Sequence, residues 1–252
     1  MVFTVSTATD SALKPLSVTE HFPLSIQHLI EFLQQNPDIT PKHVKYCIEQ
    51  SDISPEDLMP WATFNHPLTD SYGRKLVFHG GYFEIMVMSW MPGDYSAIHD
   101  HGGTEWGAVQ CFGRADHYIY TVEHGILKTL KSAPYTSGMI HTVNHALIHQ
   151  MGNPGETPFL SLHVYGCTKD QTSITGNARI FDLLEETIQY TDGGVFFGLP
   201  EHLIKQRQLG LTGDRETTQR HHRQMRDRLQ RILSIHNSPT LREKLDQLNA
   251  LL

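Results

Sequence analysis

The spacing of apolar residues divides the chain into three stretches with different periods. Ile26, Leu29, Ile30 and Leu33 recur on one stripe, which predicts an amphipathic helix from Leu24 to Gln35. Thr40-Pro41 and Ser54-Pro55 each read as an N-cap followed by a first-turn proline, so two more short helices are expected there. Glu56 and Asp57 suit the positive end of the second of these. Residues 1–22 carry no period and are expected to form an irregular arm. Near Trp61 the pattern changes. Short strand-like runs follow, among them Tyr82 to Trp90, Trp106 to Phe112, His117 to Val122, Ile126 to Leu130 and Phe159 to Tyr165. Turn signals fall between them, as in Met91-Pro92-Gly93-Asp94, His124-Gly125, Gly152-Asn153-Pro154-Gly155 and Asp192-Gly193-Gly194. Many short strands with no intervening helix predict a mainly β sandwich or small barrel and leave no crossover helices for a parallel α/β sheet. Beyond Pro200 the helical period returns. Met225, Leu229, Ile232 and Leu233 form one stripe, and Leu241, Leu245, Leu248 and Leu252 form another, with a break at Asn237-Ser238-Pro239. The expected organisation is therefore one structural unit in three parts: N-terminal helices over 1–60, a barrel over 61–200 and a C-terminal helical extension over 201–252.

Composition narrows the function classes. The 252 residues include 20 Lys and Arg against 27 Asp and Glu, a net charge of -7, which argues against a general nucleic-acid binder. No apolar run approaches the roughly 18 residues of a membrane span, and Met1 to Lys14 lacks the pattern of a signal peptide. Three widely spaced cysteines, Cys47, Cys111 and Cys167, fit a reducing compartment, so a cytoplasmic location is expected. The basic stretch from Arg215 to Arg231 is read as the wet face of helices laid on the barrel or on another copy of the chain. The 17 histidines stand out, as a pH-sensing surface or as a metal site with bystanders.

Two constellations carry candidate chemistry. In a strand residues i and i+2 share a face, so His99 and His101, read as part of a strand, aim together, about 6.6 Å apart at the backbone. Two imidazoles at that spacing can converge on one metal ion, and Asp100 faces the other way as a structural acceptor. The competing explanation is a pair of histidines on a solvated strand. Further along, alternation puts Ser161, His163 and Tyr165 on one face of a strand and Leu160, Leu162 and Val164 on the other. The polar row is either a hydrogen-bond relay or an exposed face. His141, His145 and His149 lie between the two constellations.

Taken together, Tyr72-Gly73-Arg74, the strand into Trp90, Gly93 followed by His99-Asp100-His101, then His149, and finally Ser161-Leu162-His163-Val164-Tyr165 resemble the cysteine dioxygenase family of cupins, in order and spacing, over about residues 61–200. The resemblance implies a cupin (jelly-roll-like) β-barrel that holds one Fe(2+) on His99, His101 and His149, with His141 as the fallback for the third ligand. It also implies a substrate arginine, Arg74, with Tyr72 beside it, and a relay of Ser161, His163 and Tyr165. The activity implied is oxidation of L-cysteine by O2 to cysteine sulfinic acid.

The chain departs from the family pattern in two places. The animal enzymes carry a cysteine shortly after the paired histidines that crosslinks to the relay tyrosine. Gly107 is the counterpart here, as in bacterial relatives, and no crosslink is expected; Cys111 reads as a small buried hydrophobe. Glu105 stands four residues after His101, where many other cupins place a carboxylate ligand. The Glu105-Trp106-Gly107 run instead suggests a loop with the glutamate displaced. Three alternatives stay open: a dioxygenase for another mercapto-acid or giving another oxidised product, a four-ligand cupin with Glu105 bound and manganese or nickel, and a non-catalytic binding cupin.

Overall fold

The computed structural model describes residues 22–36, 39–168 and 174–252, so the expected N-terminal arm, apart from residue 22, lies outside the described residues. The N-terminal helices form where the caps predict them. Helix α1 (Leu24–Gln34) buries Ile26, Leu29, Ile30 and Leu33. Helix α2 (Pro41–Ser51) starts at Thr40, whose hydroxyl accepts the His43 N–H, and α3 (Pro55–Leu58) starts at a capping box between Ser54 and Asp57.

The strands follow as β1 (Gly73–His79), β2 (Phe83–Trp90), β3 (Trp106–Cys111), β4 (Asp116–Glu123), β5 (Ile126–Ser132), β6 (Ile140–Val143), β7 (Ile148–Gly152), β8 (Phe159–Gly166), β9 (Ala178–Asp182), β10 (Thr187–Thr191), β11 (Gln206–Leu209) and β12 (Thr212–Gly213). They form a five-stranded sheet ordered β1-β2-β8-β3-β6, a four-stranded sheet β12-β5-β4-β7 and a three-stranded sheet β11-β10-β9. Residues from all three sheets meet in one interior: Met86, Met88 and Trp90 from the first, Met151 from the second and Ile180 from the third. The sheets curl around this interior as a cupin barrel, mainly β, with helices at either end of the chain.

The five-stranded sheet is covered on both faces, which explains why β2 and β8 are buried along their whole length. Phe83, Ile85 and Val87 of β2 and Leu160, Leu162 and Val164 of β8 face outward and join the apolar stripes of α1 and α2 in one cluster. Alternation then turns Ser161, His163 and Tyr165 into the barrel. That row is buried, not a solvated face.

The C-terminal helices, α4 (Arg215–Ile235) and α5 (Pro239–Leu251), break at the predicted Asn237-Ser238-Pro239. Met225, Leu229 and Leu248 pack with Phe197, so the apolar stripe of α4 lies on the barrel. The expected wet face holds for Arg215 and Arg223, which are exposed, but is corrected for three other arginines. Arg220 stacks on Tyr118, 4.3 Å from the ring centroid, and bonds the Thr129 hydroxyl. Arg228 donates to the Thr69 carbonyl at 2.6 Å, and Arg231 pairs with Asp94 at 3.4 Å. Such side chains hold a helix down through planar, bidentate-capable heads that stack and donate at once. No helix among the described residues is long and apolar enough to cross a membrane.

Asp94 is the junction between helix and barrel. Its carboxylate is 1% exposed and also accepts the Met91 N–H at 2.7 Å and contacts His66 Nε2 at 3.0 Å. Replacing one partner of a buried charged network leaves the others uncompensated. Asp94→Ala should therefore lower unfolding free energy by about 3 kcal/mol, read from urea midpoints at neutral pH. A loss below about 0.5 kcal/mol, the range of ordinary surface substitutions, would show that the junction contributes little.

Candidate metal centre

The His99-x-His101 segment is not a strand of any sheet, which corrects the sequence expectation. It is an extended, irregular run pinned to β7 by individual bridges. Gly93 begins it in a turn at φ +77°, a conformation that favours glycine. The Gly93 N–H donates to the Asn153 carbonyl and the Asn153 N–H to the Asp94 carbonyl, at 2.9 and 2.8 Å. Ser96 continues the pairing: its N–H donates to the Met151 carbonyl and its hydroxyl accepts the Met151 N–H. His99 and His149 then exchange both backbone hydrogen bonds at 2.9 Å. Side chains of directly opposed residues stand on the same face, so the two imidazoles meet. The backbone is extended enough that His101 returns to the same side. Gly102, at φ +53°, then turns the chain away, and a Cβ there would stand 2.1 Å from the Gly176 carbonyl oxygen.

The side chains of His99, His101 and His149 offer nitrogens all within 4.8 Å of one another. All three residues are buried. His99 Nδ1 lies 2.8 Å from the Ala97 carbonyl, to which only an N–H can donate, so its Nε2 carries the lone pair. No hydrogen bond of good geometry reaches Nε2 of His149 or either ring nitrogen of His101, although the Leu147 main chain lies close enough to His101 to favour its charged form. Unpartnered buried nitrogens converging on one point fit a bound cation, because leaving them unpaired would otherwise carry a desolvation cost. Burial pushes His99 down to about 4 and holds His101 and His149 well below the ordinary imidazole range, with neighbouring imidazoles adding to the effect on the latter two. They are neutral at pH 7, the form that ligates a metal. Asp100 faces away and takes Arg179 Nε at 2.5 Å and the Arg179 N–H at 2.7 Å.

The two rival positions fall elsewhere. His141, on β6, stacks on Tyr135 with ring centroids 4.2 Å apart and is not part of the three-imidazole cluster. Glu105 is exposed and its carboxylate accepts the Thr168 N–H at 3.1 Å.

The polar row on β8 has a readable direction. Trp90 Nε1–H donates to Ser161 Oγ at 2.8 Å, and Ser161 Oγ lies 2.7 Å from His163 Nε2. With His163 as its remaining hydrogen-bonding neighbour, the Ser161 proton goes to Nε2. The His163 proton therefore sits on Nδ1 and is donated to the Tyr165 oxygen at 2.8 Å. Burial, together with His99 and Arg74, pushes His163 down to about 3, which keeps the ring neutral. The Tyr165 O–H, whose ionisation burial disfavours, is left free to donate into the cavity. Tyr165 packs against His101 with ring centroids 5.2 Å apart.

Tyr72, Arg74, His99, His101, Tyr165 and Thr175 share the lining of one cavity. Arg74, the second residue of β1, is half-buried and donates to the Thr175 hydroxyl at 3.4 Å. Tyr72 stacks on Trp90 at 4.7 Å and accepts the Val195 N–H at 3.3 Å. Gly107 lies opposite Tyr165 in the β3–β8 register, and a Cβ there would fall 2.4 Å from the Val164 carbonyl oxygen. Cys111 sits opposite Ser161 instead, buried, with its thiol pushed up to about 12 by that burial. Gly107 thus offers no thiol opposite Tyr165, and Cys111 lies four residues further along the strand.

Two residues at the site escaped the sequence reading, Thr175 beside Arg74 and a histidine beside His149. His117 of β4 is 2% exposed, and its Nε2 lies 2.8 Å from His149 Nδ1. Only the β4–β7 register, with Ile119 opposite His149, brings His117 diagonally beside it. The high histidine count was the sole signal of His117 in the sequence.

A family profile described as cysteine dioxygenase type I matches residues 14–173, more than half of the chain. A curated relative, cysteine dioxygenase type 1 of Danio rerio, is 27% identical over 154 residues, covering 57% of this chain and 75% of the relative. Among solved structures, TT1209 of Thermus thermophilus is 19% identical with a TM-score of 0.36, covering 46% of this chain and 96% of that one. A cupin-2 domain from Rhodospirillum rubrum is 17% identical with a TM-score of 0.32, covering 40% and 64%.

The geometry separates the candidate ligands. His149→Ala should abolish binding of one iron(II) per chain, measured anaerobically by dialysis and metal analysis. His141→Ala and Glu105→Gln should retain it within about threefold. Loss of metal in Glu105→Gln would place the site among four-ligand cupins.

Proposed function

This chain belongs to the cysteine dioxygenase type I family, and we propose that it is an iron-dependent thiol dioxygenase that converts L-cysteine and O2 to cysteine sulfinic acid. The observation that carries the proposal is that His99 and His101, which converge with His149, share the lining of one cavity with Arg74 and the Tyr165 phenol. In this reading His99, His101 and His149 hold Fe(2+) within a barrel spanning residues 61–200. In the same reading the described residues from 22 to 60, and residues 201–252, pack on it in one structural unit.

Bound iron(II) would supply the Lewis acidity and redox capacity that join O2 to sulfur. The overall change is balanced: R–SH and O2 give R–SO2H, with two S–O bonds formed, the O–O bond broken, four electrons lost by sulfur and four gained by oxygen. Three uncharged ligands leave the metal's charge uncompensated, which favours a substrate that brings its own anion. A thiol with an ordinary pKa near 8.5 meets that need, since coordination deprotonates it. Arg74 offers a permanent charge and a planar pair of donors to the substrate carboxylate, with Thr175 steadying one arm. Tyr72 shares the same lining and can add its hydroxyl. Ser161 and His163 fix the direction of the Tyr165 O–H, so that it donates toward the bound substrate or oxygen and orients it. Trp90 anchors that chain from behind.

Two measurements test the proposal. Iron-loaded protein should consume O2 with cysteine and prefer it to cysteamine, which lacks the carboxylate. Arg74→Ala should cost roughly 2–4 kcal/mol in kcat/KM for cysteine and erase the preference. A wild type indifferent to the carboxylate would remove the cysteine assignment and favour another thiol. Tyr165→Phe should lower kcat by about tenfold or more while iron content stays constant. Unchanged kinetics would leave the buried row a purely structural feature.

A further inference from the structure

We propose that His117 is a positioning residue for the metal site, setting the tautomer and orientation of His149; this rests on His149 being a metal ligand. A shared proton lies between His117 Nε2 and His149 Nδ1 at 2.8 Å. Two arrangements are available. If His117 were the donor, the His149 proton would sit on Nε2, the nitrogen that faces the other two imidazoles, and ligation there would be blocked. If His149 donates from Nδ1, its Nε2 carries the lone pair, and Nε2 is the nitrogen left without a partner in the structure. The second arrangement is the one compatible with a cation, and it parallels His99, whose Nδ1–H donates to the Ala97 carbonyl. Both ligands are thus oriented through Nδ1, one by a main-chain acceptor and the other by a side chain.

His117 is itself held rigidly. Its ring stacks on Tyr135 with centroids 4.5 Å apart and an interplanar angle of 27°; the Tyr135 hydroxyl lies 3.3 Å from Nε2, a longer contact than the 2.8 Å to His149, which takes the single lone pair of Nε2. Tyr135 is anchored by reciprocal backbone bonds with Ala115, and His141 stacks on it at 4.2 Å. The stack fixes the plane of His117, so the acceptor lone pair is aimed before any metal arrives. A partner of this kind raises ligand basicity and removes a wrong tautomer, and its loss typically weakens metal binding by about 10–100-fold.

The test compares two polar replacements that differ in reach. Glutamine can place its carbonyl oxygen near the position of Nε2, whereas asparagine is too short. Iron(II) affinity is measured anaerobically by chelator competition in wild type, His117→Gln and His117→Asn, alongside the thermal midpoint of each metal-free protein. His117→Asn should bind iron(II) about 10–100-fold more weakly, with His117→Gln restored to within about threefold of wild type and both metal-free proteins melting together. Equal affinity in His117→Asn and wild type overturns the proposal, as does equal weakening in both variants. Wild-type protein that binds no iron(II) instead overturns the ligand assignment on which it rests.

Discussion

The exchange of two backbone hydrogen bonds between His99 and His149 is the constraint on which the site depends. It joins a segment that belongs to no sheet to the edge of one that does. The pairing also fixes which side chains face each other. The junction is registered from its far end, where Gly93 and Asp94 pair with Asn153. The Asn153 side chain closes this end by donating to the carbonyls of Trp90 and Thr157. A slip of one residue would turn His149 out of the barrel and bring Gln150 in. The buried Gln150 side chain resists that slip, since its amide donates to the Ser96 carbonyl and its oxygen accepts from Tyr120.

Given that register, the chemistry follows from counting protons. The buried imidazoles are disfavoured as cations, so each carries one N–H and one lone pair. Wherever an acceptor is provided for the N–H, the lone pair is directed elsewhere. Ala97 does this for His99, and Tyr165 does it for His163, where the lone pair receives the Ser161 hydroxyl. The barrel thereby presents lone pairs at one point and a phenol proton beside it, and Arg74 and Asp100 are the charged residues of the cavity lining. Asp100, the nearest carboxylate in sequence, is neutralised by Arg179 on the outer side.

Local signals in the sequence carried the architecture well where one residue decides the outcome. Thr40-Pro41, Ser54-Pro55 and Asn237-Ser238-Pro239 mark helix ends through caps and a missing N–H, and all three fall where predicted. Alternation over Phe159 to Tyr165 was equally legible, but not which face points inward. Leu160, Leu162 and Val164 need an apolar partner, and only the placement of α1 and α2 outside the sheet shows that they turn away from the barrel. His99 and His101 were paired correctly by extended geometry even though no strand forms there. The short strands β6 and β7 gave too few residues for a period, and His117 depends on their register with β4. Arg220, Arg228 and Arg231 of α4 were misplaced because helical spacing does not reveal that Tyr118, Thr69 and Asp94 wait beneath them.

The central claim is that this chain adds both atoms of O2 to a thiol sulfur. The direct measurement is mass spectrometry of the product formed from cysteine by iron-loaded protein under oxygen-18 gas in ordinary water. The account predicts a sulfinic acid in which both added oxygen atoms are labelled. A product carrying unlabelled oxygen, a disulfide alone, or unchanged cysteine would contradict it.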